Sequence, residues 1–264
     1  MSASSRLSSV QAISILSRGM VIELLRKKDV YVLAIFMGLF AFGVLAAKIV
    51  GIDNPSTGTF FLNLGMSMVY LFAHLVALLL AFNQIPREIE HRSLYPILAR
   101  PVDRPVYVIG KWFACTACGA LTYFVLLAIG WLPVPKMETY HAGSMGQMIL
   151  LHMVSLGMIS ALAIAASLFI ARGINLILLA FWFIFGGKLV GFLLGRLAES
   201  SLQAPIHWLL GYLPAFDKLN LVTRYTDGIS PLAGGEFVGL IVYGLLFTGA
   251  ALAGGILAFT RRSL

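Results

Sequence analysis

Charged residues are scarce in this sequence. Only 11% of its 264 residues are Asp, Glu, Lys or Arg, whereas 59% are hydrophobic, and the mean hydropathy is +0.92. Soluble domains are roughly one-quarter charged, so this chain has too little polar surface to cover a globule in water. No polar segment is long enough to form a separate soluble domain. The composition therefore predicts an integral membrane protein.

Motifs for catalysis are also missing. The sequence has no G-x-x-x-x-G-K-[ST] phosphate loop, no H-E-x-x-H zinc helix and no G-x-S-x-G nucleophile turn. "GGKL" at 186–189 lies inside an apolar run and lacks the first glycine and the hydroxyl. Cys115 and Cys118 form a C-x-x-C without a second ligand pair, which is typical of small residues at a helix contact. We expect no catalytic residue, no metal site and no cofactor in this chain.

Six segments are long and apolar enough to cross a bilayer as helices, which takes about 20 residues each. Helices are expected because hydrocarbon offers the backbone no other hydrogen-bond partner. The N-terminus has no cleavage site after a short apolar core, so the first apolar run stays as a span. The sequence predicts an all-α polytopic protein with spans at roughly 30–50, 62–85, 107–132, 147–171, 174–195 and 236–260.

The distribution of Lys and Arg predicts the orientation. Thirteen lie before residue 30, in 86–111, at Arg172 and in the C-terminal tail, while five lie in the other connections. Positive residues collect on cytoplasmic flanks, where anionic lipids attract them. Both termini and the 86–111 block are therefore expected in the cytoplasm, with the chain in the inner membrane. The net charge of +8 is explained in this way, and no nucleic acid partner is expected.

Two segments outside the spans have patterns of their own. Apolar residues recur at helical spacing in 9–28, which predicts an amphipathic elbow helix in the inner interface; a solvated basic arm is the alternative. Residues 196–235 are predicted to form an outer-face segment. Within it, 202–216 are too short to span and contain Pro205 and Pro214, so we expect a re-entrant or interfacial hairpin.

Three polar residues fall at membrane depth, where burial is expensive and often functional. Asn63 is near the end of a span, His74 is central in the second span, and Lys188 is in the fifth. Each is a candidate for a transport pathway. A structural role, such as a hydrogen bond to a neighbouring helix or snorkelling to the interface, is the stronger alternative.

The segment "PREIEHRSLYPILARPVDRP" at 86–105 concentrates charge between two apolar runs. Pro86 suits a first helical turn, and "RPVDRP" prevents the helix from continuing. The pattern predicts a short cytoplasmic helix held between two spans. Such a helix can transmit a push from a soluble partner of complementary charge.

This segment resembles the loop between the second and third spans of type-2 ABC exporter permeases. The matches are Glu88 and Glu90, Ser93-Leu94, "LARP" at 98–101, Arg104, and Gly110-Lys111. Ser93 stands where the family often has Thr. The elbow, the six spans, the outer hairpin and "LPAFDKLN" at 213–220 extend the resemblance to essentially the whole chain.

The resemblance implies that the chain is a permease subunit and that it pairs with a second subunit, which we expect to be identical. The pair would be driven by two copies of a separate ATPase that binds ATP and Mg. It also implies that the 86–105 loop is the coupling helix and that the second and fifth spans line a pathway. The implied ATPase contacts are Arg87, Glu88, Glu90, His91, Arg92, Arg100 and Arg104, and the implied pathway residues are His74, Phe181, Phe185 and Lys188. The alternative is a membrane anchor that transports nothing and passes ATPase-driven motion to an accessory protein outside, since some relatives serve maturation of exported metalloenzymes.

Overall fold

The computed structural model describes residues 55–90, 104–131, 141–196 and 213–261, with eight scattered helical positions between 31 and 45. All regular structure in these ranges is helical. The predicted elbow at 9–28 and most of the first predicted span lie outside the described residues, as do 91–103 and most of the predicted hairpin at 202–216.

Five long helices carry the described fold. Each is long and apolar enough to cross a membrane, and they correspond to the second to sixth predicted spans. This confirms a helical multi-pass membrane protein, and the first predicted span, at 30–50, stays a prediction. The elements are α1 (Pro55–Glu90), α2 (Arg104–Trp131), α3 (Ala142–Ser167), α4 (Arg172–Arg196), a 3-10 turn (Phe216–Leu219), α5 (Val222–Thr226) and α6 (Gly234–Arg261).

The end of α1 differs from the predicted boundary at 85. The helix continues to Glu90 with Pro86 inside it, so Pro86 does not open a separate helix. Proline removes one backbone hydrogen bond from a helix. Packing offsets that loss, because Gln84 and Ile85 are buried and Glu88 bonds to side chains of α2. Tertiary contacts therefore carry the helix one turn beyond the predicted end.

The third helix is the centre of the bundle. It packs against α1, α2, α4 and α6, and it is the most buried of the five spans. Small residues allow close approach: the α-carbon of Gly119 faces Ala77 and Leu156. Cys115 and Cys118 are buried in this core and are not joined in a disulfide, as a packing role requires. By contrast, α4 and α6 present largely exposed apolar faces.

Gly244 of α6 makes the tightest of these helix contacts, and replacing it tests the packing. A β-carbon there would lie 2.3 Å from Cγ1 of Val154 on α3. We expect Gly244→Leu to destabilise the subunit by about 1–3 kcal/mol through overpacking, measured as the unfolding midpoint in detergent. Gly249→Leu on the same helix is the matched control, since a β-carbon there meets nothing within 4 Å. Equal midpoints for the two variants would contradict this contact.

Residues 213–233, here called the cap, fold across one end of the bundle. Trp182 of α4 donates through Nε1 to the carbonyl of Pro214 at 2.8 Å, and Asn63 of α1 donates to Thr226 Oγ1 at 2.8 Å. Gln147 of α3 exchanges two hydrogen bonds with the backbone of Leu232, at 3.0 and 2.7 Å. The cap is therefore fixed to three spanning helices.

Candidate functional site: a charged helix junction and a buried aromatic network

The charged end of α1 lies against the start of α2. Gln84 and Glu88 are four residues apart on α1, and Tyr107 and Lys111 are four apart on α2. Side chains at this spacing share one face of a helix. The two helices run in opposite directions, so the two polar pairs face each other.

Lys111 and Glu88 form an ion pair at this contact. Nζ of Lys111 donates to one carboxylate oxygen of Glu88 and, at 3.2 Å, to Oε1 of Gln84. The Tyr107 hydroxyl donates to the other carboxylate oxygen. The side chain of Lys111 is 7% exposed and that of Glu88 is 20% exposed, so the pair is largely removed from water. Charge-assisted hydrogen bonds in such a setting are strong and geometrically specific.

Arg104 extends the contact to α6. Its Nη1 donates to the carbonyl of Thr260 at 2.9 Å and lies 3.5 Å from that of Phe259. These carbonyls belong to the last turn of α6, which has no intrahelical donors and carries partial negative charge. The ring of Tyr107 also stacks on Phe259, with centres 5.7 Å apart. We call this set the helix junction: Gln84, Glu88, Arg104, Tyr107, Lys111, Phe259 and Thr260.

The predicted ATPase contacts fall into three groups. Glu88 and Arg104 belong to the helix junction and have partners within the subunit. Arg87 and Glu90 are exposed at the end of α1. His91, Arg92 and Arg100 lie outside the described residues. Contact with an ATPase stays a prediction for all seven.

A second polar cluster lies deep in the bundle, around Tyr70 of α1. The ring centre of Tyr70 is 4.1 Å from that of His74, 4.4 Å from that of His152 and 5.4 Å from that of Phe183. The Tyr70 hydroxyl lies 3.1 Å from Ser155 Oγ and donates to the carbonyl of Phe216 in the cap at 3.2 Å. One side chain therefore joins α1, α3 and the cap.

The two histidines of this cluster are held differently. Nδ1 of His74 is 2.7 Å from the carbonyl of Tyr70, which can only accept, so Nδ1 carries the proton. A neutral His74 then accepts at Nε2 from the Ser155 hydroxyl at 2.8 Å. His152 bonds through Nδ1 to the Tyr123 hydroxyl at 3.0 Å, and its buried Nε2 has no hydrogen-bond partner within the described part of the chain. We call this set the aromatic network: Tyr70, His74, Tyr123, His152, Ser155, Phe183 and Phe216.

The structure separates the predicted pathway residues. His74 is fully buried in the aromatic network, where its ring stacks on that of Phe183 of α4 with the ring centres 4.8 Å apart. Phe181 and Phe185 lie on the exposed face of α4, with their ring centres 5.2 Å apart, and Lys188 is exposed as well. A shared pathway stays a prediction for these four.

Several residues of the two clusters were not singled out in the sequence. Gln84 and Tyr107 belong to the helix junction, and Lys111 entered only as part of the Gly110-Lys111 match to the family. The sequence does contain a signal for them: one pair of polar residues four positions apart ends the apolar run of α1, and a second such pair begins the apolar run of α2. Tyr70 and Ser155 have no such signal, because a tyrosine or serine in an apolar run is common.

Comparison with known proteins adds the family. No curated protein matches the chain. A family model described as ABC-2 family transporter protein matches residues 7–264, which is nearly the whole chain. The resemblance first seen in the 86–105 loop is thereby confirmed. The chain belongs to the ABC-2 type transporter permease family.

Proposed function

We propose that this chain is the permease subunit of an ABC exporter in the cytoplasmic membrane, with six spans and both termini in the cytoplasm. A separate ATPase, which binds ATP and Mg, docks on the 86–105 loop and drives export of an unidentified substrate. Two identical permease subunits work with two ATPase copies. Family membership supports the association with an ABC ATPase.

The helix junction is the observation that carries this proposal. The helix before the loop ends at Glu90 and the helix after it begins at Arg104, and both helix ends are held by the junction. A buried ion pair joins α1 to α2, and Arg104 joins α2 to α6. Because these contacts are directional and the ion pair is largely removed from water, a push on the loop moves three spanning helices together.

The first helix extends that connection to the far end of the bundle. From Glu88 to Asn63 it spans about 38 Å at ~1.5 Å per residue. Tyr70 lies between them and bonds to Phe216, while Asn63 bonds to Thr226. Motion at the junction therefore has a stiff route to the cap, as alternating access would require.

Exchanging the exposed charges at the loop tests the docking site. We expect Arg87→Glu combined with Glu90→Lys to weaken copurification of the ATPase by about tenfold or more, since like charges facing each other across an interface cost several kcal/mol. The net charge is unchanged, and Glu88 is left intact because it stabilises the junction. The measurement is the amount of ATPase retained with the permease in mild detergent.

A matched exchange at the opposite end of the bundle is the control. Arg196→Glu with Glu236→Lys also keeps the net charge and alters two exposed residues near the cap. This control should retain the ATPase. Full retention by the loop variant, or equal loss in both variants, would contradict docking on the loop.

The second candidate is a membrane anchor that relays ATPase motion to an accessory protein outside without transporting anything. One observation favours it: His74, Tyr70 and Asn63 form hydrogen bonds to groups inside the subunit and on the cap. Reconstituted vesicles containing the permease and ATPase separate the two. Substrate accumulation driven by ATP supports export, whereas ATP turnover that responds only to the outside partner supports the anchor.

A further inference from the structure

An open groove lies between the α3–α4 turn and the last two turns of α6. It has a volume of about 410 Å³, within the range of roughly 300–1,000 Å³ typical of ligand pockets. Positions 254, 257, 258 and 261 recur at helical spacing, so they share one face of α6. The groove is lined by Leu168, Phe169, Gly254, Leu257, Ala258 and Arg261.

The groove lies at the end of a helix that is long and apolar enough to cross a membrane, and the ends of such a helix are where hydrocarbon meets headgroups. It is at the junction end of α6, because Arg104 binds the carbonyl of Thr260 there. Phe169 is 73% exposed and Leu257 is 57% exposed, although both are large apolar side chains. In a membrane protein such surfaces face lipid rather than water. The apolar part of the groove is therefore suited to an acyl chain.

Among the described residues that line the groove, the charged group is the guanidinium of Arg261, and none of the side chains is acidic. Arg261 makes no ion pair with any residue that the structure describes. A helix C-terminus normally repels anions. Here Arg104 occupies the carbonyls of Phe259 and Thr260, which offsets that repulsion. A guanidinium in this position can bind a phosphate through two parallel hydrogen bonds.

We propose that this groove binds an anionic phospholipid, with one acyl chain along Leu168, Gly254 and Leu257 and its phosphate on Arg261. The site belongs to the leaflet at the junction end of the bundle. It does not depend on an ATPase or on transport. The proposal can therefore fail while the proposed function stands, and the reverse also holds.

Native mass spectrometry of the purified permease tests the site, with phosphatidylglycerol and phosphatidylcholine of identical acyl chains as probes. Arg261→Gln should weaken phosphatidylglycerol binding by about fivefold, the effect of one basic residue near a membrane surface. Binding of phosphatidylcholine should fall less, because its choline cation already offsets the charge of the phosphate that Arg261 binds. Gly254→Phe should weaken binding of both lipids, because its ring fills the groove.

Each variant has a matched control in the same chain. Arg196 ends α4 as Arg261 ends α6, and it lies at the other end of the bundle. Gly249, like Gly254, has open space around its β-carbon position but does not line the groove. Arg196→Gln and Gly249→Phe should bind both lipids as the parent does.

Two results would overturn the proposal. If Arg261→Gln and Arg196→Gln weakened phosphatidylglycerol binding equally, the net charge of the protein and not a specific site would attract the lipid. Unchanged binding to Gly254→Phe would mean that no acyl chain occupies the groove. If Gly254→Phe failed to fold, the comparison of the two arginine variants would still decide, since neither alters a packed side chain of the core.

Discussion

Replacing Lys111 by methionine is expected to destabilise the subunit by about 3–5 kcal/mol, the effect of removing one partner from a buried ion pair. The loss comes from Glu88, which keeps its charge in a largely buried position after its cationic partner Lys111 has been removed. The measurement is the free energy of unfolding in detergent, from denaturant titration. The same variant should uncouple ATP hydrolysis from movement of the spans, since α1 and α2 lose the ion pair that joins them at the loop.

The double variant Glu88→Gln with Lys111→Met separates an ion pair from simple packing. It removes both charges, so no buried charge is left unpaired, and replacing a whole buried pair is often nearly neutral. We therefore expect it to recover most of the loss seen for Lys111→Met alone. If the double variant were as unstable as the sum of the two single variants, the ion pair would not be the source of the effect.

Tyr70→Ala is expected to have a comparable effect, a loss of about 3–5 kcal/mol, because it removes a large ring from the core. That ring contacts His74, His152 and Phe183, and its hydroxyl holds the carbonyl of Phe216. The cap should also exchange its backbone hydrogens faster at 213–219. Hydrogen exchange followed by mass spectrometry reports this change separately from global stability.

Tyr70→Phe isolates the hydroxyl. It keeps the ring contacts but removes the hydrogen bond from the hydroxyl to the carbonyl of Phe216, which should cost about 0.5–1.5 kcal/mol. Faster exchange should then appear in the cap while the spans keep their protection. Phe60→Ala, also on α1, removes a ring that is 61% exposed, and it should change neither the free energy of unfolding nor the hydrogen exchange of the cap. Protection of the cap that is unaltered in Tyr70→Phe would refute this link between α1 and the cap.

The spanning helices were predictable because hydrocarbon imposes a length and a composition on any segment that crosses it. Runs of about 20 apolar residues identify such helices without knowledge of their neighbours. Helix ends were harder to predict. Pro86 suggested a new helix, yet the buried contacts of Ile85 and Glu88 continue α1 past it, and no local pattern contains those contacts.

The candidate site was likewise predictable from the sequence only in part. The charged loop was visible as a concentration of Glu and Arg, and the family match supports that interpretation. The internal role of Glu88 was not visible, because its partners depend on how α1 and α2 align. Likewise, His74 is conspicuous as a polar residue in a span. Its partner Ser155 lies 81 positions away, and only the packing of α1 on α3 brings the two together.

The bonds from Arg104 to the end of α6 have a consequence for biosynthesis. A membrane chain is inserted in order as it leaves the ribosome, and the acceptors for Arg104 lie 155 and 156 positions downstream. The bonds to Phe259 and Thr260 can therefore form only after α6 has been made. A polypeptide halted before Phe259 would still join α1 to α2 through Glu88 and Lys111 but would lack the contact from Arg104 to α6.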